Sequence, residues 1–352
     1  MSTRSKTIAV LITAISCYLV WGFLTRPPAP AVRHAVWVQS LYFRGVQPST
    51  RELLTDAHLV QLANTFVANG IRDAYMFAGP YNEDGTVPNY AFSDTAIATV
   101  KRLRTLAPQV RILPWLGGLQ DKTVFLNNPT WRTRAIENTV KLATALGVVG
   151  VHLDFEYILP ESTYVIEEQG IQGPRSPVSE YHPSMREFFR ELKVRAPSLF
   201  ISTVFPSSAP EVTPWKANPR RADLLSIAPF VSQVSFLYYD TSIRTQAVFE
   251  AGLTHQLEDS NAVRRSSPQT ELLIAFGSFV NVAPLQPFRD LAIESIPNSF
   301  MTLRRVLERM EFKESPVDAI AIFSDWETSP EEWRQFRKGV AMIPAFQTPS
   351  AP

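Results

Sequence analysis

Short runs of β-branched and aromatic residues alternate along most of this chain with longer stretches whose apolar residues recur at helical spacing. Buried strands read as brief apolar runs and amphipathic helices as apolar groups every three or four residues, so the alternation predicts a repeated strand–helix unit. The predicted strands are His34–Ser40, Ile71–Ala78, Val110–Leu116, Val148–Glu156, Leu199–Phe205, Val231–Tyr239, Glu271–Phe276 and Val317–Phe323. Predicted helices fill the intervals at Ala57–Asn69, Asp94–Leu106, Thr130–Leu146, Ser184–Val194, Ala247–Leu257 and Phe300–Met310, and Ser329–Lys338 closes the series. The interval between the fifth and sixth strands carries the faintest helical periodicity. Ser93-Asp94, Asn128-Pro129 and Pro183-Ser184 are helix-start signals. Eight such units over about 320 residues predict an α/β fold, a single (β/α)8 TIM barrel over residues 35–341, rather than an open doubly wound sheet with fewer strands. Catalytic groups are then expected at the C-terminal ends of the strands.

The amino terminus breaks the pattern. Thr7 to Leu24 form an uncharged apolar run, preceded by Arg4 and Lys6 and followed by Arg26. Its length corresponds to roughly 27 Å of helix, close to the hydrocarbon thickness of a bilayer. Residues 1–24 therefore read as a membrane anchor, with residues 7–24 in the membrane and residues 25–34 a Pro-rich linker. Ala29-Pro30-Ala31 has the small-x-small pattern of a signal-peptidase site, so a signal segment cleaved near Ala31, giving a secreted domain, is the alternative. Both place the barrel outside the cytoplasm, because Arg4 and Lys6 hold the short end inside. Residues 342–352 read as a tail.

Composition narrows the function classes. With 34 Lys+Arg against 33 Asp+Glu the chain has no field that would draw it to nucleic acid. Its single cysteine, Cys17, falls in the apolar segment, so the barrel carries no thiol for a disulfide or a metal cluster. The five histidines show no metal spacing, and no phosphate loop, dinucleotide fingerprint, zinc-protease motif or nucleophile elbow occurs. No metal, no cofactor and a monomeric state are expected. Prolines outnumber glycines 28 to 14, which predicts stiff loops; Pro80, Pro160, Pro206 and Pro284 follow proposed strand ends.

The candidate chemistry lies on the fourth strand. Parallel barrel strands are buried on both faces and normally read as continuous apolar runs, but here every second residue is ionisable. His152, Asp154 and Glu156 share one face, and Val151, Leu153 and Phe155 share the other. Neighbouring members of the polar set stand about 6.7 Å apart along the strand, so each carboxylate opposes ionisation of the other and burial adds to the effect. That suits a carboxylic acid that must hold a proton near neutral pH. The plain structural alternative is an ion-pair network at the barrel mouth.

This strand resembles that of glycoside hydrolase family 18, the chitinase-like barrels, whose motif is DGxDxDxE. The corresponding stretch is Val149-Gly150-Val151-His152-Leu153-Asp154-Phe155-Glu156, which keeps the glycine, the last Asp and the Glu. The resemblance implies that Glu156 is the general acid/base. It also implies that Asp154 orients the substrate's 2-acetamido group, whose carbonyl oxygen attacks the anomeric carbon in place of an enzyme nucleophile. His152 stands where the family has an Asp that hydrogen-bonds the next carboxylate; a neutral imidazole could accept or donate there, whereas a protonated one would lower the Asp154 pKa.

Further matches follow in the family's order. Pro114-Trp115-Leu116-Gly117-Gly118 resembles SxGG, with Trp115 in place of Ser, and Gly117 and Gly118 would let backbone approach the sugar. Leu237-Tyr238-Tyr239-Asp240 resembles MxYD; Tyr239 would donate to the acetamido oxygen and Asp240 follows at the rim. Phe323 occupies the place of the family's sugar-flooring Trp, with Trp326 close enough to substitute.

The implied function is hydrolysis of β-linked N-acetylhexosamine glycans of chitin or peptidoglycan type, by substrate-assisted retention, with a polysaccharide or oligosaccharide as substrate. Two other readings stand beside it: a glycan-binding barrel without catalysis, and a glycosidase with a conventional carboxylate nucleophile, for which Asp240 or Asp325 would be the second group. The long Ile158–His182 segment is expected to shape the substrate groove. Trp131, Trp215 and Trp333 read as surface tryptophans that could stack on sugars, although a lone Trp is more often a packing residue.

Overall fold

The computed structural model describes residues 33–158, 165–167, 170–172, 181–209, 212–213, 216–278, 288–312 and 314–346. The apolar segment 7–24, nearly all of the linker and the last six residues of the tail lie outside them, as does Trp215. Among the described residues no helix is long and apolar enough to cross a membrane.

Among the described residues, eight parallel strands close into a barrel in chain order. They are β1 (His34–Val38), β2 (Ile71–Pro80), β3 (Arg111–Leu119), β4 (Gly150–Glu156), β5 (Phe200–Pro206), β6 (Gln233–Leu237), β7 (Glu271–Gly277) and β8 (Ala319–Phe323). β8 returns to β1 with Ala321 opposite Ala35, and this pairing removes both sheet edges. The principal helices are α1 (Asp56–Ala68), α2 (Asp94–Leu106), α3 (Pro129–Leu146), α4 (Tyr181–Arg195), α5 (Arg221–Ile227), α6 (Gln246–Ser266), α7 (Ile296–Met310) and α8 (Pro330–Ala341). The predicted (β/α)8 barrel is the fold observed.

Local chemistry explains where the helices start. Asn128 accepts from the backbone N–H groups of Thr130 and Trp131 at the head of α3, and Gly147 at φ 63° ends that helix. Ser93 caps α2 in the same way, and Ser329 and Glu332 form a reciprocal box on α8.

Three helical expectations shift. α4 begins at Tyr181, ahead of the Pro183-Ser184 signal, with Pro183 inside the first turn where its missing N–H costs no bond. α6 runs on to Ser266 rather than stopping at Leu257, because Asp259 and Ser260 continue its buried face and Arg221 neutralises Asp259. The faint interval holds the seven-residue α5 and a 3-10 turn at Ala228–Phe230. The packed domain is also a few residues wider than 35–341. The Arg33 guanidinium donates to the carbonyl of Ala345, and Phe346, 1% exposed, packs its ring edge-on to His34.

The apolar side chains form two layers. Most lie between strands and helices, while a smaller set fills the barrel itself. The interior set is uneven: Trp37 and Tyr75 project from β1 and β2, while β8, which pairs with β1, contributes Ala319 and Ala321, and β7 beyond it Leu273 and Ala275. Below these residues Asp73, Arg72, Arg111 and Glu271 close the N-terminal end with ion pairs. Pro80 and Pro206 are the last residues of β2 and β5, at the opposite end, while Pro160 and Pro284 lie outside the described residues.

Candidate active site

β4 has the two faces its alternation predicts. Val151, Leu153 and Phe155 are buried against the helices, and His152, Asp154 and Glu156 point into the barrel. They stand at different depths and have different partners.

His152 lies deepest, with no exposed surface, its ring stacked on Tyr75 at 3.6 Å. The surrounding hydrogen bonds determine its tautomer. Gln233 Nε2 faces the carboxylates of Asp73 (2.8 Å) and Glu271 (3.0 Å), which orients the amide. Its Oε1 then accepts from the Tyr75 hydroxyl and from Ser202 Oγ, each at 2.7 Å. The one hydrogen of Ser202 is thereby used, so His152 Nδ1, 2.8 Å from Ser202 Oγ, must donate. Burial pushes the imidazole pKa far below its ordinary value, so the ring is neutral and Nε2 carries a lone pair. His152 and Asp154 are not hydrogen-bonded to each other: among the described residues, His152 Nε2 and Asp154 Oδ1 are both buried without a hydrogen-bond partner. Ser202 lies opposite His152 in the β4–β5 pairing and captures the ring instead.

Asp154 is held from the other side. Trp115, opposite His152 on β3, reaches forward and donates its indole N–H to Asp154 Oδ2 at 3.1 Å. Burial, followed by the charge of Glu156, pushes the Asp154 carboxyl up to about 8, while Lys216 and the Trp115 hydrogen bond oppose the rise. Burial and the neighbouring carboxylate therefore favour the protonated form of Asp154 near neutral pH. Glu156, at the mouth, is ion-paired through Oε1 to Lys216 Nζ.

The remaining predicted residues divide into two groups. Tyr239 and Phe323 stack face to face at 4.9 Å, and the edges of Trp37, Trp326 and Trp115 meet Phe323 at 5.6, 5.6 and 6.3 Å. Burial and then the charges of Asp154 and Glu156 hold the Tyr239 hydroxyl well above its usual pKa, so it is a committed donor next to both carboxylates. Ring contacts thus join Tyr239, Phe323, Trp326 and Trp115, and the Trp115 indole joins them to Asp154.

Asp240 turns away to Arg289 at 2.5 Å, from a backbone at φ 50°. Asp325 accepts from the backbone N–H of Gln39, and burial raises its carboxyl to about 7. Gly117 and Gly118 are required by the backbone itself. A Cβ on Gly117 would stand 1.8 Å from the Asp154 carbonyl oxygen, and one on Gly118, at φ 138°, 2.1 Å from Thr123 Oγ1.

Lys216, the ion-pair partner of Glu156, is the neighbour that sequence reasoning missed. It sits in an irregular loop after β5 with no motif around it, and long-range main-chain contacts bring it to the site. Lys216 bridges to Ile158, and the Ala217 N–H donates to the Tyr157 carbonyl at 2.9 Å. The Ser202–Gln233 relay was also missed, although the polar inward positions of β5 and β6 are visible by alternation. Tyr181, which the sequence placed in the long loop, is the first residue of α4, 5% exposed; burial and then the charges of Glu156 and Asp154 raise its pKa. Trp131 and Trp333 are buried packing residues.

No protein-family model matches the chain, and no curated protein matches it by sequence. Solved structures do match. The spore cortex-lytic enzyme SleL of Bacillus cereus aligns with a TM-score of 0.56 at 12% identity, over 89% of this chain and 75% of that one. A chitinase from Chromobacterium violaceum aligns with a TM-score of 0.56 at 10% identity, over 88% of this chain and 99% of that one. A chitinase from Bacteroides thetaiotaomicron aligns with a TM-score of 0.55 at 11% identity, over 90% and 97%. At these identities the likeness is one of fold, the eight-stranded parallel barrel described above.

Proposed function

We propose that this protein is a glycoside hydrolase of β-linked N-acetylhexosamine glycans, of chitin or peptidoglycan type, acting by substrate-assisted retention. The observation that carries the reading is the pairing of Asp154 and Glu156 on one inward strand face beside a stacked Tyr239–Phe323 floor. In the reaction Glu156 gives a proton to the glycosidic oxygen as that oxygen leaves the anomeric carbon. The acetamido carbonyl oxygen of the same sugar forms the new bond to that carbon. Once Asp154 has passed its proton to Glu156, its Oδ1, buried without a hydrogen-bond partner among the described residues, accepts from the acetamido N–H, and the Tyr239 hydroxyl donates to the acetamido oxygen. Water then adds to the anomeric carbon and returns its proton to Glu156, with net retention. Phe323 and Trp326 offer the apolar face on which a sugar ring packs.

The structural neighbours named as chitinases and as a cortex-lytic enzyme support this substrate class. Attachment through residues 7–24, with the barrel outside the cytoplasm, is part of the same proposal. Neither Asp240, tied to Arg289, nor Asp325, tied to backbone, recommends itself as a conventional nucleophile. Glu156→Gln should abolish hydrolysis of an aryl β-N-acetylglucosaminide oligomer, and undiminished turnover would overturn the assignment. Oligosaccharide binding without any turnover by the unmodified protein would select the glycan-binding alternative.

A further inference from the structure

A chitin-type glycan is uncharged, yet the site holds an ammonium group at the candidate acid. Lys216 Nζ pairs with Glu156 Oε1, with only 10% of the lysine side chain exposed. The loop that carries it is pinned on both sides: Lys216 N–H donates to the Thr213 carbonyl at 2.9 Å, and Asn218 Nδ2 to the Val212 carbonyl at 2.6 Å. The cation is therefore positioned by the fold rather than collected by Glu156 from solvent.

Its location relative to a substrate follows from the acid. A general acid lies within one hydrogen bond of the oxygen it protonates, so Lys216 Nζ comes within about 6 Å of the glycosidic oxygen, the span of two hydrogen bonds. In a 1,4-linked glycan that oxygen is O4 of the leaving sugar, and the adjoining substituent is on O3. In chitin O3 carries only hydrogen. In a muramyl residue it carries a lactyl ether, whose carboxylate is one carbon removed from O3.

We propose that Lys216 recognises a carboxylate on O3 of the leaving sugar, so that the preferred substrate is the N-acetylglucosaminyl–muramyl linkage in strands whose lactyl carboxylates are free. This rests on Glu156 being the acid. On binding, the substrate carboxylate takes the Lys216 ammonium from Glu156, and Glu156 takes the proton that Asp154 held. That proton passes to O4 as the C1–O4 bond breaks and the acetamido oxygen bonds to C1; water then replaces the acetamido oxygen. The linkage on the other side of the muramyl residue leaves an N-acetylglucosamine with an uncharged O3, which gives Lys216 nothing to bind. Where the lactyl group is amide-bonded to a peptide its charge is gone, so an amide hydrolysis that strips the peptide must supply this substrate.

The test uses the full chain and three tetrasaccharides: alternating N-acetylglucosamine and N-acetylmuramic acid with free lactyl carboxylates, the same compound as its methyl amides, and chitotetraose. The free acid should exceed the amide in kcat/KM by about tenfold to a hundredfold, as a charge-assisted contact implies. Lys216→Met should bring that ratio close to one, and Lys216→Arg should keep part of it. Equal rates on acid and amide by the unmodified protein overturn the proposal, as does a Lys216→Met variant that keeps the preference. If the Met variant does not fold, the unmodified protein's acid-to-amide ratio and its decline with salt decide the matter. If no tetrasaccharide is hydrolysed, the glycosidase reading fails separately. Calorimetry then tests the charge recognition by itself, with the same ratio expected in Kd and equal affinities overturning it.

Discussion

Replacing Asp154 by Asn should stabilise the protein, and by an amount that depends on pH. An Asp in the unfolded chain titrates near 3.9, whereas burial and the neighbouring Glu156 raise the folded carboxyl to about 8. Between those values the unfolded state has lost its proton and the folded state has not. The folded state therefore binds more protons, and stability falls as pH rises through the window. Each pH unit in the window costs about 1.4 kcal/mol. The accumulated penalty is about 4 kcal/mol by pH 7, as an order of magnitude shared with the coupled Glu156.

An amide at this position does not titrate, fills nearly the same volume and still accepts from the Trp115 indole N–H through its oxygen. Denaturant melts of both proteins from about pH 4 to about pH 8 should show a gap in favour of the Asn variant. The gap should be small at the acid end and widen steadily, while hydrolysis is lost throughout. A pH-independent gap would show that Asp154 is ionised in the folded protein and would refute the electrostatic reasoning.

Two further predictions concern the groups around Asp154. Trp115→Phe keeps the ring beside Phe77 and Phe323 but removes the donor to Asp154 Oδ2, so the carboxyl should rise further and the basic limb of the pH–rate profile should move up by about one unit. An unmoved limb would show that this hydrogen bond does not tune the group. Nitrogen NMR should find His152 with a protonated Nδ1 and a bare Nε2 that stay unchanged from about pH 5 to about pH 8. The opposite tautomer, or a titration within that range, would contradict the hydrogen-bond order derived through Ser202 and Gln233.

The eight strands were legible because each is a short apolar run bounded by loop residues, and closure of the sheet adds no requirement that changes those runs. Helix starts were legible where a side chain caps the backbone, as at Ser93 and Asn128. A helix end was misplaced where buried polar residues continued the helix, as at Asp259 and Ser260 in α6. On β4 a period of two sufficed to put Asp154 and Glu156 on one face, and continued two residues past β6 it put Tyr239 inside.

The sequence by itself determined the barrel, the inward set on β4 and the aromatic character of the cleft, since all three depend on alternation within single elements. Only the tertiary structure decided what each ionisable group meets. Trp115 reaches Asp154 across the β3–β4 pairing, Ser202 draws His152 away from it, and Lys216 arrives at Glu156 from a loop sixty positions along the chain. Charge state depends on burial and on partners within a few ångströms, and those partners are brought together by closure of the barrel, not by spacing along the chain.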